Sequence, residues 1–194
     1  MKRMRGSKST GTASGKRQPC LGIHWNTLDG IDLPLESIEY LIKVKGRKDA
    51  LFVLIGWGPE LGRMEARVAA RRLDDCMKIT GALFGDDLHA CLTTADVGVA
   101  PDPSNTFNDK LTMIKILKYM ACGLPVVLYD LPEGHQSGDG AALYARGNNP
   151  IDFAEKVAQL LDSKSARDRL GAAGRKRIIE SLNWGIEKQK LLKA

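Results

Sequence analysis

The chain has 194 residues, 43% apolar and 27% charged, the make-up of an ordinary globular domain with a real core. No apolar run approaches the ~18 residues of a membrane-spanning helix, and no apolar segment follows the basic start as a secretory leader would. The net charge of +6 equals that of residues 1–18, which hold Lys2, Arg3, Arg5, Lys8, Lys16 and Arg17 and no acid; the remainder is neutral, so a nucleic-acid-binding domain is not expected.

In chain order, residues 1–19 form a Gly/Ser/Thr-rich basic segment without apolar periodicity, expected to be a disordered tail. From Leu35, the residues Ile38, Leu41, Ile42 and Val44 recur at helical spacing up to Gly46. The run LFVLI (51–55) predicts a buried parallel strand, the loop GWGPE follows, and a helix covers about 60–73. MKIT (77–80) predicts a strand stopped by Gly81, and Asp86 and Asp87 are candidate caps for a helix through Thr94. VGVA (97–100) is a strand broken by PDPSN; a helix spans about 111–121 and ends at Gly123. PVVLYD (125–130) and AALYA (141–145) predict strands, and helices over about 151–161 and 165–181 close the pattern.

Alternating helices and continuous apolar strands imply an α/β fold with a doubly wound parallel sheet. Ligands of such sheets bind beyond the carboxyl ends of the strands. The loops Gly56–Glu60, Gly81–Gly85, Pro101–Asp109 and Leu131–Gly140 are therefore expected on one edge. GxGxxG, the P-loop and GxSxG are all absent. His24, His89 and His135 lack metal-ligand spacing, so no metal is expected, and His89 reads as structural. Cys20, Cys76, Cys91 and Cys122 show no CxxC spacing and fit reduced, buried, cytosolic thiols.

An ordered set of segments carries a resemblance: FVLIGWGPE, ITGALFGDDLHACLTTADVGVAP, FNDKLTMIKILKYMACGLPVV, YDLPEGHQSGDGAALYA and LLDSKSARDRLGAAGRKRI followed by LNW. Together they resemble the nucleotide-sugar-binding carboxyl-terminal domain of retaining GT-B glycosyltransferases, the large sucrose-synthase-like family (glycosyl transferases group 1). The resemblance runs from about Leu21 to Ala194. It implies a Rossmann-like half of a GT-B fold over residues 20–194 and a nucleotide-diphosphate sugar as donor, with no further cofactor. The positions it assigns to that donor are Gly56, Gly58, Gly81, Asn108, Asp109, Thr112, Lys115, Lys118 and Glu133; it names no catalytic residue.

The chemistry suits those assignments. Small strand-end residues let base and ribose approach the backbone. Phosphates favour a helix start and a nearby cation. Leu111–Thr112 is expected to open the helix, with Thr112 either donating to phosphate or capping the turn; Lys115 either pairs with phosphate or is a solvated helix lysine. The family usually carries a glutamate just before YMA, an acceptor-only group for two ribose hydroxyls. Here the residue is Lys118, which is donor-only; the other acidic position of the pattern is Lys110. Trp25, Trp57 and His135 depart from the pattern too.

The resemblance also implies an absent acceptor-binding amino-terminal domain. The expected protein is a donor-binding domain for transfer to a saccharide or lipid-linked acceptor, inactive alone. The alternative is a non-catalytic nucleotide-sugar-binding module or an inert truncated remnant. Expected partners are the nucleotide sugar and either a separate acceptor domain or a second copy of the chain. An exposed apolar face around Trp184, Ile186 and Leu191 would serve such docking. The expected location is cytoplasmic, with peripheral contact at the inner membrane face left open.

Overall fold

The computed structural model describes residues 19–25 and 32–192. Residues 1–18, expected to be a disordered tail, and residues 26–31 lie outside them. Six parallel strands form one sheet in the order β3-β2-β1-β4-β5-β6. They are β1 (Cys20–Trp25), β2 (Leu51–Gly56), β3 (Met77–Gly81), β4 (Val97–Ala100), β5 (Val126–Tyr129) and β6 (Ala142–Ala145). The helices are α1 (Asp32–Lys43), α2 (Leu61–Ala70), α3 (Gly85–Thr94), α4 (Ile114–Ala121), α5 (Pro132–Gly138), α6 (Pro150–Asp162), α7 (Lys164–Glu180) and α8 (Trp184–Leu191). This is the doubly wound, Rossmann-like architecture, with the strand order of a dinucleotide fold.

Both faces of the sheet are covered, so successive strand residues feed two different cores. Phe52 and Leu54 of β2 pack with Leu35, Leu41, Met64 and Phe153, from α1, α2 and α6. Val53 and Ile55 pack on the other side with Leu92, Ile116, Tyr119 and Met120, from α3 and α4. The same alternation separates Val127 and Tyr129 from Val126 and Leu128 on β5. Each large aliphatic or aromatic chain removed from water this way contributes about 1.5–3 kcal/mol. Gly98 lets α4 lie close to β4: a Cβ there would stand 2.5 Å from the Tyr119 ring.

Helix α7 is held differently. Its buried residues are only Leu170, Gly171 and Gly174. Gly171 brings it against backbone, since a Cβ there would lie 2.1 Å from the Gly123 carbonyl oxygen. Its arginines then cap other helices. Arg167 donates to the Leu160 and Leu161 carbonyls of α6, at 2.6 and 2.9 Å. Arg175 donates to the Ala121 carbonyl of α4. Arg177 donates to the Gln136 and Ser137 carbonyls of α5, at 2.7 and 3.3 Å. Cations at carbonyl ends satisfy orphan acceptors and oppose the helix dipole.

Four expectations change. The strand β1 is absent from the periodicity reading, because Gly22 and His24 interrupt its apolar run, yet it lies in the sheet centre. The stretch Leu131–Gly140, read as a loop, contains α5. Helix α4 starts at Ile114 after a short 3-10 turn (Asn108–Lys110), so Leu111–Thr112 is not a helix start. Asp86 and Asp87 stand inside the first turn of α3, whose N-cap is Phe84. Of the cysteines, Cys76 is buried while Cys20, Cys91 and Cys122 are half-buried. His89, read as structural, is exposed, with its Nδ1 3.9 Å from Cys122 Sγ. Among the described residues no helix is long and apolar enough to cross a membrane.

Candidate functional site

All six strands run parallel, so every strand-to-helix loop opens on one edge. The chain leaves β1 toward β2 on one side and reaches β4 on the other. The topological switch point, where ligands of such sheets bind, therefore lies between β1 and β4. Gly56 and Gly81 are the last residues of β2 and β3. Gly81, with φ +74°, has open space where a side chain would project. Gly58 has φ +150°, a conformation that side chains disfavour.

The loop from Pro101 to Met113 leaves β4 at the switch point and is pinned throughout. Asp102 accepts from Lys115 Nζ at 2.6 Å, with both side chains buried. Asn105 Oδ1 accepts the Phe107 and Asn108 amides at 3.0 and 2.8 Å. Asn108 is buried and donates its side-chain amide to the Pro103 carbonyl at 2.8 Å. Asp109 accepts the Ser104 hydroxyl at 3.0 Å. Ser104 and Asn148 exchange two hydrogen bonds, 2.7 and 3.0 Å, tying this loop to the one after β6. Asn148 takes φ +54°, which asparagine tolerates better than most residues.

The donor-site candidates thus divide. Asn108 and Asp109 spend their side chains inside the loop. Lys115 is not a solvated lysine; its ammonium is neutralised by a buried carboxylate at the mouth of the switch point. Thr112 donates to Glu133 Oε2 at 3.1 Å, joining the end of the β4–α4 loop to the first turn of α5. The other carboxylate oxygen of Glu133, Oε1, makes no hydrogen bond among the described residues and can accept from a ligand. Lys110 and Lys118 are exposed.

Sequence reasoning missed Asp102, whose burial with Lys115 was signalled only by an acid lodged in the PDP turn. It also missed the group beside α5. The His135 ring stacks on Tyr144 at 4.0 Å, and its Nε2 lies 3.4 Å from Asp130. Burial pushes the Tyr144 hydroxyl up to about 12, with Asp139 and Asp130 adding to the effect.

Apolar side chains rim the same edge. Trp57, Phe84 and Phe107, on the loops after β2, β3 and β4, and Ile114, at the start of α4, are 67%, 72%, 57% and 66% exposed. Trp184 at the start of α8 is also exposed, whereas Ile186 is half-buried; the Leu191 side chain lies outside the described residues. A cavity of about 440 Å³ lies away from the edge, where α1 and α6 end. Two ion pairs cross it, Lys45 with Glu155 and Arg47 with Asp162, both at 2.6 Å, so it is a salt-bridged surface hollow. Among the described residues no cluster of three or more histidines, cysteines or acids could hold a metal.

The chain is similar to several known glycosyltransferases. The MMP alpha-(1->4)-mannosyltransferase of Mycolicibacterium hassiacum is 29% identical over 163 residues, 79% of this chain and 38% of that protein. Staphylococcus aureus TarM, solved with fondaparinux, alpha-GlcNAc-glycerol and UDP, superposes with a TM-score of 0.78 at 19% identity over 94% of this chain and 37% of that one. The carboxyl-terminal domain of a group 1 glycosyl transferase from Francisella tularensis gives a TM-score of 0.66 at 15% identity, covering 86% of this chain and 87% of that domain. The chain spans about two fifths of the curated relatives it matches, 38% and 43% of the first two. The fold is the Rossmann-like half of a GT-B architecture. The family model for glycosyl transferases group 1 matches residues 19–163, from β1 through α6 and across every loop of the carboxyl edge, and the chain belongs to that family.

Proposed function

We propose that this chain is the donor-binding domain of a retaining, sucrose-synthase-like glycosyltransferase and that it holds a nucleotide-diphosphate sugar at the switch point between β1 and β4. The observation that carries the reading is the pinned β4–α4 loop. It sets a buried cation–carboxylate pair and a half-satisfied glutamate, Glu133, on the edge where the strand order turns. The relatives support it: a curated one is named as GDP-mannose-dependent, and a fold neighbour was solved with UDP. Glu133 Oε1 is the acceptor for sugar hydroxyls, and the nucleoside lies along Gly56, Gly58 and Gly81, the last with open space where a side chain would project. The acceptor, a saccharide or a lipid-linked saccharide, is held by a second domain, which docks on the rim of Trp57, Phe84, Phe107 and Ile114. A cytoplasmic location, with membrane contact through that second domain, belongs to the same proposal.

One observation favours a second reading, a nucleotide-sugar binder without turnover. Lys118 is a donor-only cation where the resemblance places the ribose-binding acid. Calorimetric titration with UDP, GDP and ADP tests both readings. Saturable binding of one nucleotide is expected. Binding with no sugar transfer, even after an acceptor domain is supplied, supports the second reading. Failure to bind any of the three removes both.

A further inference from the structure

Helix α5 has seven residues, too few to be stable by itself. It lies tightly on β5 and β6: a Cβ at Gly134 would stand 2.7 Å from Leu128 Cδ1, and one at Gly138 would stand 3.2 Å from the Ala142 Cβ. Its two ends are tied by different elements. At the carboxyl end, Arg177 of α7 donates through Nη2 to the Gln136 carbonyl at 2.7 Å and through Nε to the Ser137 carbonyl at 3.3 Å. Its Nη1 is 4.0 Å from Asp139, which follows the helix. At the amino end, Glu133 takes the Thr112 hydroxyl.

We propose that Arg177 is a positioning residue for the donor site: by clamping the carboxyl end of α5 it fixes the Glu133 carboxylate against Thr112, with Oε1 aimed to accept hydroxyls of a bound nucleotide sugar. The inference rests on the donor-binding reading above. Its physical content is short. Loss of the guanidinium leaves two carbonyl groups of a short helix without a charged donor. The helix frays from that end, and its first turn loses the fixed geometry that a carboxylate–hydroxyl contact needs.

Arg167 supplies the control. It caps α6 from the same helix with the same chemistry, and α6 carries no donor-site residue. The experiment compares Arg177→Met, Arg177→Lys, Arg167→Met, Glu133→Gln and the double variant Arg177→Met/Glu133→Gln in the full chain. Probes are GDP-mannose and UDP-N-acetylglucosamine, each beside its bare nucleoside diphosphate. Arg177→Met is expected to weaken the preferred nucleotide sugar about tenfold while leaving the nucleoside diphosphate within about twofold. Arg177→Lys should recover part of the loss. The double variant should bind no worse than Glu133→Gln alone, because the arginine acts through that carboxylate. Arg167→Met should lower thermal stability without changing either affinity. Amide exchange over residues 132–138 should quicken in Arg177→Met and not in Arg167→Met. Additive losses in the double variant, or equal effects of the two arginine substitutions on affinity, overturn the proposal. So does wild-type binding that Arg177→Met leaves unchanged, which spares the donor reading. A wild type that binds none of the probes removes the donor reading and this inference with it.

Discussion

The Lys115 ammonium stands 2.6 Å from the Asp102 carboxylate, and the two residues are 7% and 2% exposed. The pair closes the neck of the β4–α4 loop, with Asp102 just past the strand and Lys115 in the first turn of α4. Desolvating two charges is costly, and the attraction between them offsets that cost only while both remain. Asp102→Ala or Lys115→Met is therefore expected to destabilise the fold by about 3–5 kcal/mol. The joint replacement Asp102→Leu/Lys115→Met should lose far less than the sum. Urea unfolding of the three variants measures this. A loss below about 0.5 kcal/mol for Lys115→Met would return the lysine to the solvated role that helical spacing suggests.

Gly171 is a place where the fold permits no side chain. A Cβ would stand 2.1 Å from the Gly123 carbonyl oxygen, a backbone atom that cannot rotate away. Gly171→Ala should cost about 3 kcal/mol, the upper end of overpacking effects, and should loosen α7 first. Gly62 in α2 has nothing within 4 Å of its would-be Cβ. Gly62→Ala should instead stabilise by up to about 1 kcal/mol through helix propensity. Thermal midpoints that move the same way in both variants would contradict the packing described for α7.

Tyr129 is fully buried, and its hydroxyl makes no hydrogen bond of good geometry; Ser37 beside it gives its own proton to the Leu33 carbonyl at 2.8 Å. An unsatisfied buried hydroxyl costs about 1–3 kcal/mol, so Tyr129→Phe should be neutral or stabilising at pH 7. Burial also pushes this phenol up to about 12. A raised folded-state value means that the stability it contributes is complete below the unfolded value near 10. It is lost as the pH rises from there toward 12. Tyr144 is shifted the same way by the same cause. Alkaline unfolding is expected in that window, and Tyr129→Phe should flatten it. Tyrosinate absorbance appearing at pH 10 before the fold is lost would count against it.

Much of the architecture is legible in the sequence because both faces of the sheet are buried. LFVLI, VGVA and PVVLY read as continuous apolar runs, and Gly46 and Gly123, at φ +68° and +73°, end their helices where the sequence implies. The miss at β1 has a physical cause: CLGIHW is too mixed for an apolar-run rule, although β2 and β4 pair with it on either side. Helix α5 is hidden because PEGHQSG is rich in turn formers, and Arg177, which ties its carboxyl end, stands more than thirty residues later in the chain. The site divides in the same way. Glycines at strand ends are visible from their position alone. The partners of Asn108, Asp109 and Lys115 are not, since Asp102, Ser104 and Pro103 become neighbours only when the loop closes on itself.

Lys118 lies on the exposed side of α4, one helical turn after Lys115. If it occupies the ribose-contact position, the wild type should bind its nucleoside diphosphate weakly and Lys118→Glu should bind more tightly. A carboxylate accepting from ribose hydroxyls contributes on the order of 1.5–3 kcal/mol, roughly ten- to a hundredfold in affinity. The lysine instead attracts the diphosphate, but with water between and the phosphates farther away that attraction is the smaller effect. Glutamate should win although it adds a negative charge beside an anionic ligand. A lysine pointing away from the ligand would give a small change that rises or falls only with long-range charge and vanishes in added salt. Calorimetry on both forms at two salt concentrations separates the cases. Equal or weaker binding by Lys118→Glu at both salts would place Lys118 outside the donor site.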